Sequence, residues 1–147
     1  MRYIICICLT WLLFDESVAT LQRLAEDSPL DLSILHFELT ILREIGHLPT
    51  FDACAYCGEP LGTVARYGYQ VSQGVLICQT CFGTDVPRCV VTPGALAIVQ
   101  ALTCGSAATV RNLVPSVSQM RELRLLVNLS IAQILGHKPK TLRYLPL

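Results

Sequence analysis

Four cysteines in two close pairs are the residues of this sequence best placed to do chemistry. Cys54-Ala-Tyr-Cys57 is followed, after twenty residues, by Cys78-Gln-Thr-Cys81. A gap of two residues lets one turn of chain offer two thiolates to the same tetrahedral ion. The intervening stretch is long enough to fold as a hairpin and return the second pair. Gly58 and Gly83 follow the pairs closely, where tight turns would aim backbone N–H groups at the sulfurs. The ion this pattern favours is Zn2+. Four thiolates would close its coordination shell, leave no position for water or substrate, and make the metal structural. By analogy with zinc-finger peptides, such a site contributes about 10–16 kcal/mol of apparent binding energy to local folding. Two disulfides or a redox CxxC are the competing readings. The first needs an oxidising compartment and the second a βαβ setting that the sequence lacks.

Little else in the chain suggests catalysis. Cys6, Cys8, Cys89 and Cys104 fit the part of small buried hydrophobes. His36, His47 and His137 are scattered, and none has triad or metal spacing. GxSxG, HExxH and phosphate-cradling glycine loops are missing, so the chain is expected not to be an enzyme. Tyr56, Tyr67, Tyr69 and Phe82 gather around the cysteine pairs, where they can form a miniature core or stack on unpaired bases; the core is favoured.

The formal net charge of zero argues against a whole-surface grip on nucleic acid. The charge is unevenly spread. Residues 1–50 carry three Lys/Arg against seven Asp/Glu, and residues 51–88 two against three. Residues 89–147 carry Arg111, Arg121, Arg124, Lys138, Lys140 and Arg143 against Glu122 alone. Those six cations are the candidate contacts for an acidic partner or for phosphates.

The elements that position these residues follow from apolar periodicity and breakers. The chain is 52% hydrophobic and 15% charged, more apolar than an ordinary soluble domain. The N-terminal run MRYIICICLTWLLF loosely imitates a secretory signal but is too short to span a bilayer. Asp15 and Glu16 then interrupt it, and the apolar pattern continues through Val18, Leu21 and Leu24, so a buried helix over 4–25 is expected. Ser28 as N-cap and Pro29 at the first helical position open a second helix that ends at Gly46. Leu35, Leu39 and Leu42 form one stripe on it and Ile34, Phe37, Ile41 and Ile45 another, which implies burial on two sides. Short strands are expected over 63–71 and 75–77 around Ser72-Gln73-Gly74. Helices return at 95–102 and, after a possible turn at 111–114, from a capping box at Ser116 and Gln119 to Gly136. The fold class is therefore mainly α: one domain with helical halves at 1–50 and 89–147 and a four-cysteine, zinc ribbon-like hairpin inserted at 51–88.

The order of these features resembles a known family. The segment FELTILREIGHLPTFDAC, a CxxC followed by glycine, a glycine-bearing turn before CQTC, and a last helix running into ILGHKPKTLRYL are similar to the C-terminal part of RecO, a family of bacterial DNA repair proteins. The resemblance covers roughly residues 12–145. It implies a helical domain carrying a zinc element, and a cytoplasmic mediator of homologous recombination with no membrane partner. Such proteins help load recombinase, anneal strands, work with RecR and DNA, and dock the acidic, hydrophobic-ended tail of single-stranded DNA-binding protein (SSB). The family begins with an OB-fold domain for which this chain has no room. A fragment, a misplaced start or a decayed copy is thus expected, with DNA and RecR binding weak in this chain alone. The alternative is a zinc-ribbon protein-interaction module with no repair role.

Overall fold

The computed structural model describes residues 2–26, 29–62, 65–83, 87–104 and 112–140, with side chains from Trp11 onward. Among these, helix α1 spans Arg2–Ala25 and α2 Leu30–Glu44. Strands β1 (Tyr67–Gln70) and β2 (Val75–Cys78) follow, then the short helix α3 (Gln79–Phe82) and strand β3 (Cys89–Val91). Helices α4 (Pro93–Cys104) and α5 (Val117–Leu135) complete the chain. The fold is mainly helical with one small sheet.

Local signals account for most helix ends. Ile45 caps α2, and Gly46, at φ 76°, takes the left-handed conformation that L side chains resist. The Gly46 N–H then donates to the Arg43 carbonyl at 3.0 Å and the His47 N–H to the Leu42 carbonyl at 2.8 Å, closing a Schellman motif. At the start of α5 the Ser116 hydroxyl accepts from the Gln119 N–H, and the Gln119 side chain accepts from the Ser116 N–H. Pro29 stands at the N-cap of α2, so the helix starts at Leu30, one residue later than expected. Ser28 lies outside the described residues.

The sheet is antiparallel with order β2-β1-β3. Strand β1 pairs Tyr67 with Cys78 and Tyr69 with Leu76 on one side, and Tyr67 with Val91 and Tyr69 with Cys89 on the other. Period-two alternation sends Tyr67 and Tyr69 to the same face, and both are buried. They join Leu35, Leu39, Leu42, Leu96, Val99, Leu102, Leu123 and Leu126 in one core shared by sheet and helices. The tyrosines therefore do not form a separate core under the cysteines, and neither offers an open ring for base stacking. The Tyr69 hydroxyl lies 2.8 Å from Ser130 Oγ on α5. On the opposite face, a Cβ on Gly68 would lie 2.3 Å from Pro87 Cγ, so glycine permits that close crossing. Strand β3 begins just beyond the expected hairpin insert of 51–88. At three residues, beginning two positions after Pro87, it is too short to show an alternation in sequence.

Two polar links lock the helices. Arg124 on α5 donates from Nη1 to Glu38 Oε2 at 2.7 Å and from Nη2 to the Asp31 carbonyl at 3.0 Å. Thr92 donates to Glu122 Oε2 from its backbone N–H and from its hydroxyl, both at 2.8 Å, joining the start of α4 to α5. Within α1, Glu16 accepts from Arg23, and the same carboxylate lies 3.2 Å from His36 Nδ1 of α2.

Helix α1 departs from expectation. Its polar residues Thr20 and Arg23 are buried, while Trp11, Phe14, Val18 and Leu21 are exposed. A long apolar helix need not be an internal one, because the partner face on α2 presents His36 for Glu16 to meet. Likewise, the second stripe of α2 is not enclosed: Ile45 is exposed and Ile41 only half-buried.

Two outcomes test this packing. Removing the Arg124 side chain strands a buried carboxylate, so Arg124→Ala lowers stability by about 3–5 kcal/mol, whereas Arg121→Ala at the surface stays within about 0.5 kcal/mol. Urea titration checks both. Burial lowers the pKa of His36 from its ordinary 6.5, outweighing the Glu16 carboxylate that raises it, and the Arg23 and Arg43 charges lower it further. The unfolded chain then binds the proton more readily than the folded one. The stability held by neutral His36 is complete above pH 6.5 and is lost as pH falls below that value. His36→Gln removes this contribution to the pH dependence, measured as the difference between urea midpoints at neutral and mildly acidic pH.

Candidate metal centre and partner surface

The four cysteines come together from two separate turns. Residues 53–60 form a tight loop, closed by a bridge between Ala53 and Pro60 and by the Cys54 N–H donating to the Glu59 carbonyl at 2.8 Å. Gly58, at φ 74°, turns the chain immediately after Cys57, and its N–H donates to the Cys54 carbonyl at 2.9 Å. The Ala55 N–H donates to the Leu76 carbonyl at 3.0 Å, which fastens this loop to β2. The second pair brackets the junction of strand and helix: Cys78 ends β2 and Cys81 sits in α3.

As a result the Sγ atoms of Cys54, Cys57, Cys78 and Cys81 all lie within 4.8 Å of one another. Cys54 and Cys81 are 3.7 Å apart at sulfur, and so are Cys57 and Cys78. A regular tetrahedron with metal–sulfur bonds of about 2.3 Å has edges of roughly 3.8 Å. The spacing thus fits one tetrahedral ion, and all four cysteines are free thiols. Cys54 and Cys78 are buried, Cys81 is half-buried and Cys57 is exposed.

The electrostatics agree with that geometry. Burial resists ionisation of Cys54, but hydrogen bonds from the backbone at Cys57, Cys78 and Tyr56 outweigh it and hold the thiol down to about 6. The Cys78 N–H lies 3.2 Å from its sulfur. Hydrogen bonds with the Cys78 and Cys57 thiols, together with burial and the Cys54 charge, push Cys81 up to about 12. For Cys57, the backbone at Glu59 favours the thiolate, yet the neighbouring Cys54 and Cys78 thiols leave its pKa raised. One sulfur is ready to ionise and its neighbours then resist doing so. A bound dication reverses that resistance. The group can hold a metal ion.

Of the six candidate cations, four are described, and they do not share one environment. Arg121, Lys138 and Lys140 are exposed. Arg124 is only 3% exposed and committed to Glu38 and Asp31, which withdraws it from any partner surface. A helix stripe that mixes Arg with Leu does not show which residue turns inward. Arg111 and Arg143 lie outside the described residues.

A groove that sequence reasoning did not locate runs between α2 and α5. Ile41, Leu42 and Ile45 form one wall and Ile131, Ile134 and Leu135 the other, with Glu38 at its end, around a volume of about 210 Å3. The second apolar stripe on α2 was its signal. Lys138 and Lys140 follow directly on the α5 wall. Cys89 is fully buried, and burial pushes its thiol up to about 12, in keeping with an inert core residue.

Helices packed on a small sheet, with a four-cysteine cluster able to hold a metal ion at the sheet's edge loop, define a mainly helical domain with a metal-knuckle element. The chain belongs to the family described as Recombination protein O C terminal, whose model matches residues 12–143. It is 28% identical over 136 residues to the DNA repair protein RecO of Syntrophus aciditrophicus (strain SB) and 32% identical over 136 residues to that of Anaeromyxobacter sp. (strain K). The RecO of Dehalococcoides mccartyi (strain ATCC BAA-2100 / JCM 16839 / KCTC 5957 / BAV1) is 29% identical over 135 residues. Each match covers 90% of this chain and 52% of the relative, so the chain spans about half the length of these curated relatives.

Native mass spectrometry of the purified chain tests the site. One zinc ion per chain is expected, lost to a chelator or in Cys54→Ser together with folded structure around the hairpin. A metal-free chain with two disulfides is the result that removes the site.

Proposed function

We propose that this chain acts as the C-terminal part of a RecO-type mediator of DNA repair and homologous recombination, working in the cytoplasm by binding and handover, with no covalent chemistry. Cys54, Cys57, Cys78 and Cys81 hold a structural Zn2+ that keeps the hairpin folded against the helices. The helical body docks the acidic, hydrophobic-ended tail of SSB, and helps bring recombinase and complementary strands together alongside RecR and DNA.

The observation that carries this reading is the α2–α5 groove. Its walls are aliphatic, it is large enough for an aromatic or aliphatic side chain, and the exposed Lys138 and Lys140 follow Leu135 of its α5 wall by three and five residues in sequence. A chain end bearing an apolar residue after a run of acids needs that combination: a greasy slot to bury the terminal side chain and cations for the carboxylates. Family membership over residues 12–143 supports the repair setting, and the relatives that match are themselves DNA repair proteins by name. Arg121 remains available for phosphate contact on the exposed face of α5.

The reading is tested by titrating the folded chain with a fluorescent peptide of the SSB tail. Saturable binding that weakens as salt rises is expected, as is a loss of about tenfold, or about 1.4 kcal/mol, in Ile45→Glu or in the Lys138→Glu/Lys140→Glu pair. A folded chain with no affinity for the peptide favours instead an interaction module with no repair role.

A further inference from the structure

The exposed face of α1 follows a stricter rule than amphipathicity. Trp11, Phe14, Val18 and Leu21 are spaced three, four and three residues apart and are 66%, 62%, 38% and 66% exposed. Ile4 and Ile7 extend the same three-four alternation backward along the sequence, within the span of α1. This is the heptad spacing of a and d positions, the pattern that a second helix of equal period fills knob into hole.

The helix cannot turn this stripe inward. Glu16, Thr20 and Arg23 lie on the other side of α1, where Thr20 and Arg23 are buried and Glu16 stands 3.2 Å from His36 of α2, so the polar side of α1 is the one turned to α2. We propose that the stripe is an isologous interface through which two copies of this chain pair, α1 against α1. A second copy offers the same period and length without any further surface, as a two-fold contact requires. The flanking positions permit the approach: beside the described seam, Asp15 is charged, whereas Ser17 and Gln22 are neutral. An anionic lipid surface is disfavoured, because the only cation of α1 with a described side chain, Arg23, is buried toward α2. Two aromatic rings per copy, each worth about 150–250 Å2 when fully buried, bring the pair with Val18 and Leu21 to on the order of 1,000 Å2, the lower range for a specific interface.

Sedimentation velocity of the whole chain, from sub-micromolar to tens of micromolar, tests the proposal. A monomer–dimer equilibrium is expected, with Val18→Glu monomeric over the range at unchanged circular dichroism, and Leu125→Glu, at an exposed site on α5, still dimeric. Should Val18→Glu fail to fold, Phe14→Gln carries the same expectation of a weakened dimer. A wild-type chain that stays monomeric, that forms only polydisperse aggregates, or that is captured as a monomer on lipid vesicles overturns the proposal. So does a folded Val18→Glu or Phe14→Gln chain that dimerises as well as wild type.

Discussion

Four sulfurs lie within one ion's reach, and the shape of the hairpin depends on how their charges are met. Backbone N–H groups favour the thiolate at Cys54, while hydrogen bonds with the Cys78 and Cys57 thiols, then burial and the Cys54 charge, resist ionisation of Cys81. A cation among the sulfurs resolves this, and the sulfur spacing suits a tetrahedral one. The loop at 53–60 is otherwise held to β2 by the Ala55–Leu76 hydrogen bond and by the buried Cys54, and the start of α3 buries little of its own, so the cluster adds a tie where the packing is thinnest.

The cluster also governs what lies behind it. Cys54 and Cys78 belong to the same continuous core as Tyr67, Leu35 and Leu123, so the knuckle is seated on the helices. Strand β1 lies between β2 and β3, and Tyr69 reaches Ser130 on α5. A chain of contacts thus runs from the cysteines through β2 and β1 to α5, the helix that forms one wall of the α2–α5 groove.

Much of this was legible in the sequence, because the relevant signals are local. The CxxC pairs, the capping box at Ser116 and the glycine stops at Gly46 and Gly136 each act within a few residues, and each appears where expected. The parts that were not legible are set by distant partners. Arg124 looked like a surface cation until Glu38 and Asp31, far away in sequence, drew it inside. Helix α1 looked internal because its apolar content is high, yet the side it turns to α2 is the one bearing Glu16, which meets His36. Strand β3, three residues long, exists because β1 had an edge to fill. For Arg111 and Arg143, sequence remains the only guide.

The uneven exposure of the four sulfurs has a kinetic consequence. Cys54 and Cys78 form a floor inside the core, while Cys57 stands at the surface and Cys81 is half-covered. An incoming thiol or chelator can displace Cys57 first, without opening the sheet. An ion held by the four cysteines would therefore meet competing ligands first at Cys57, the sulfur that the core does not cover.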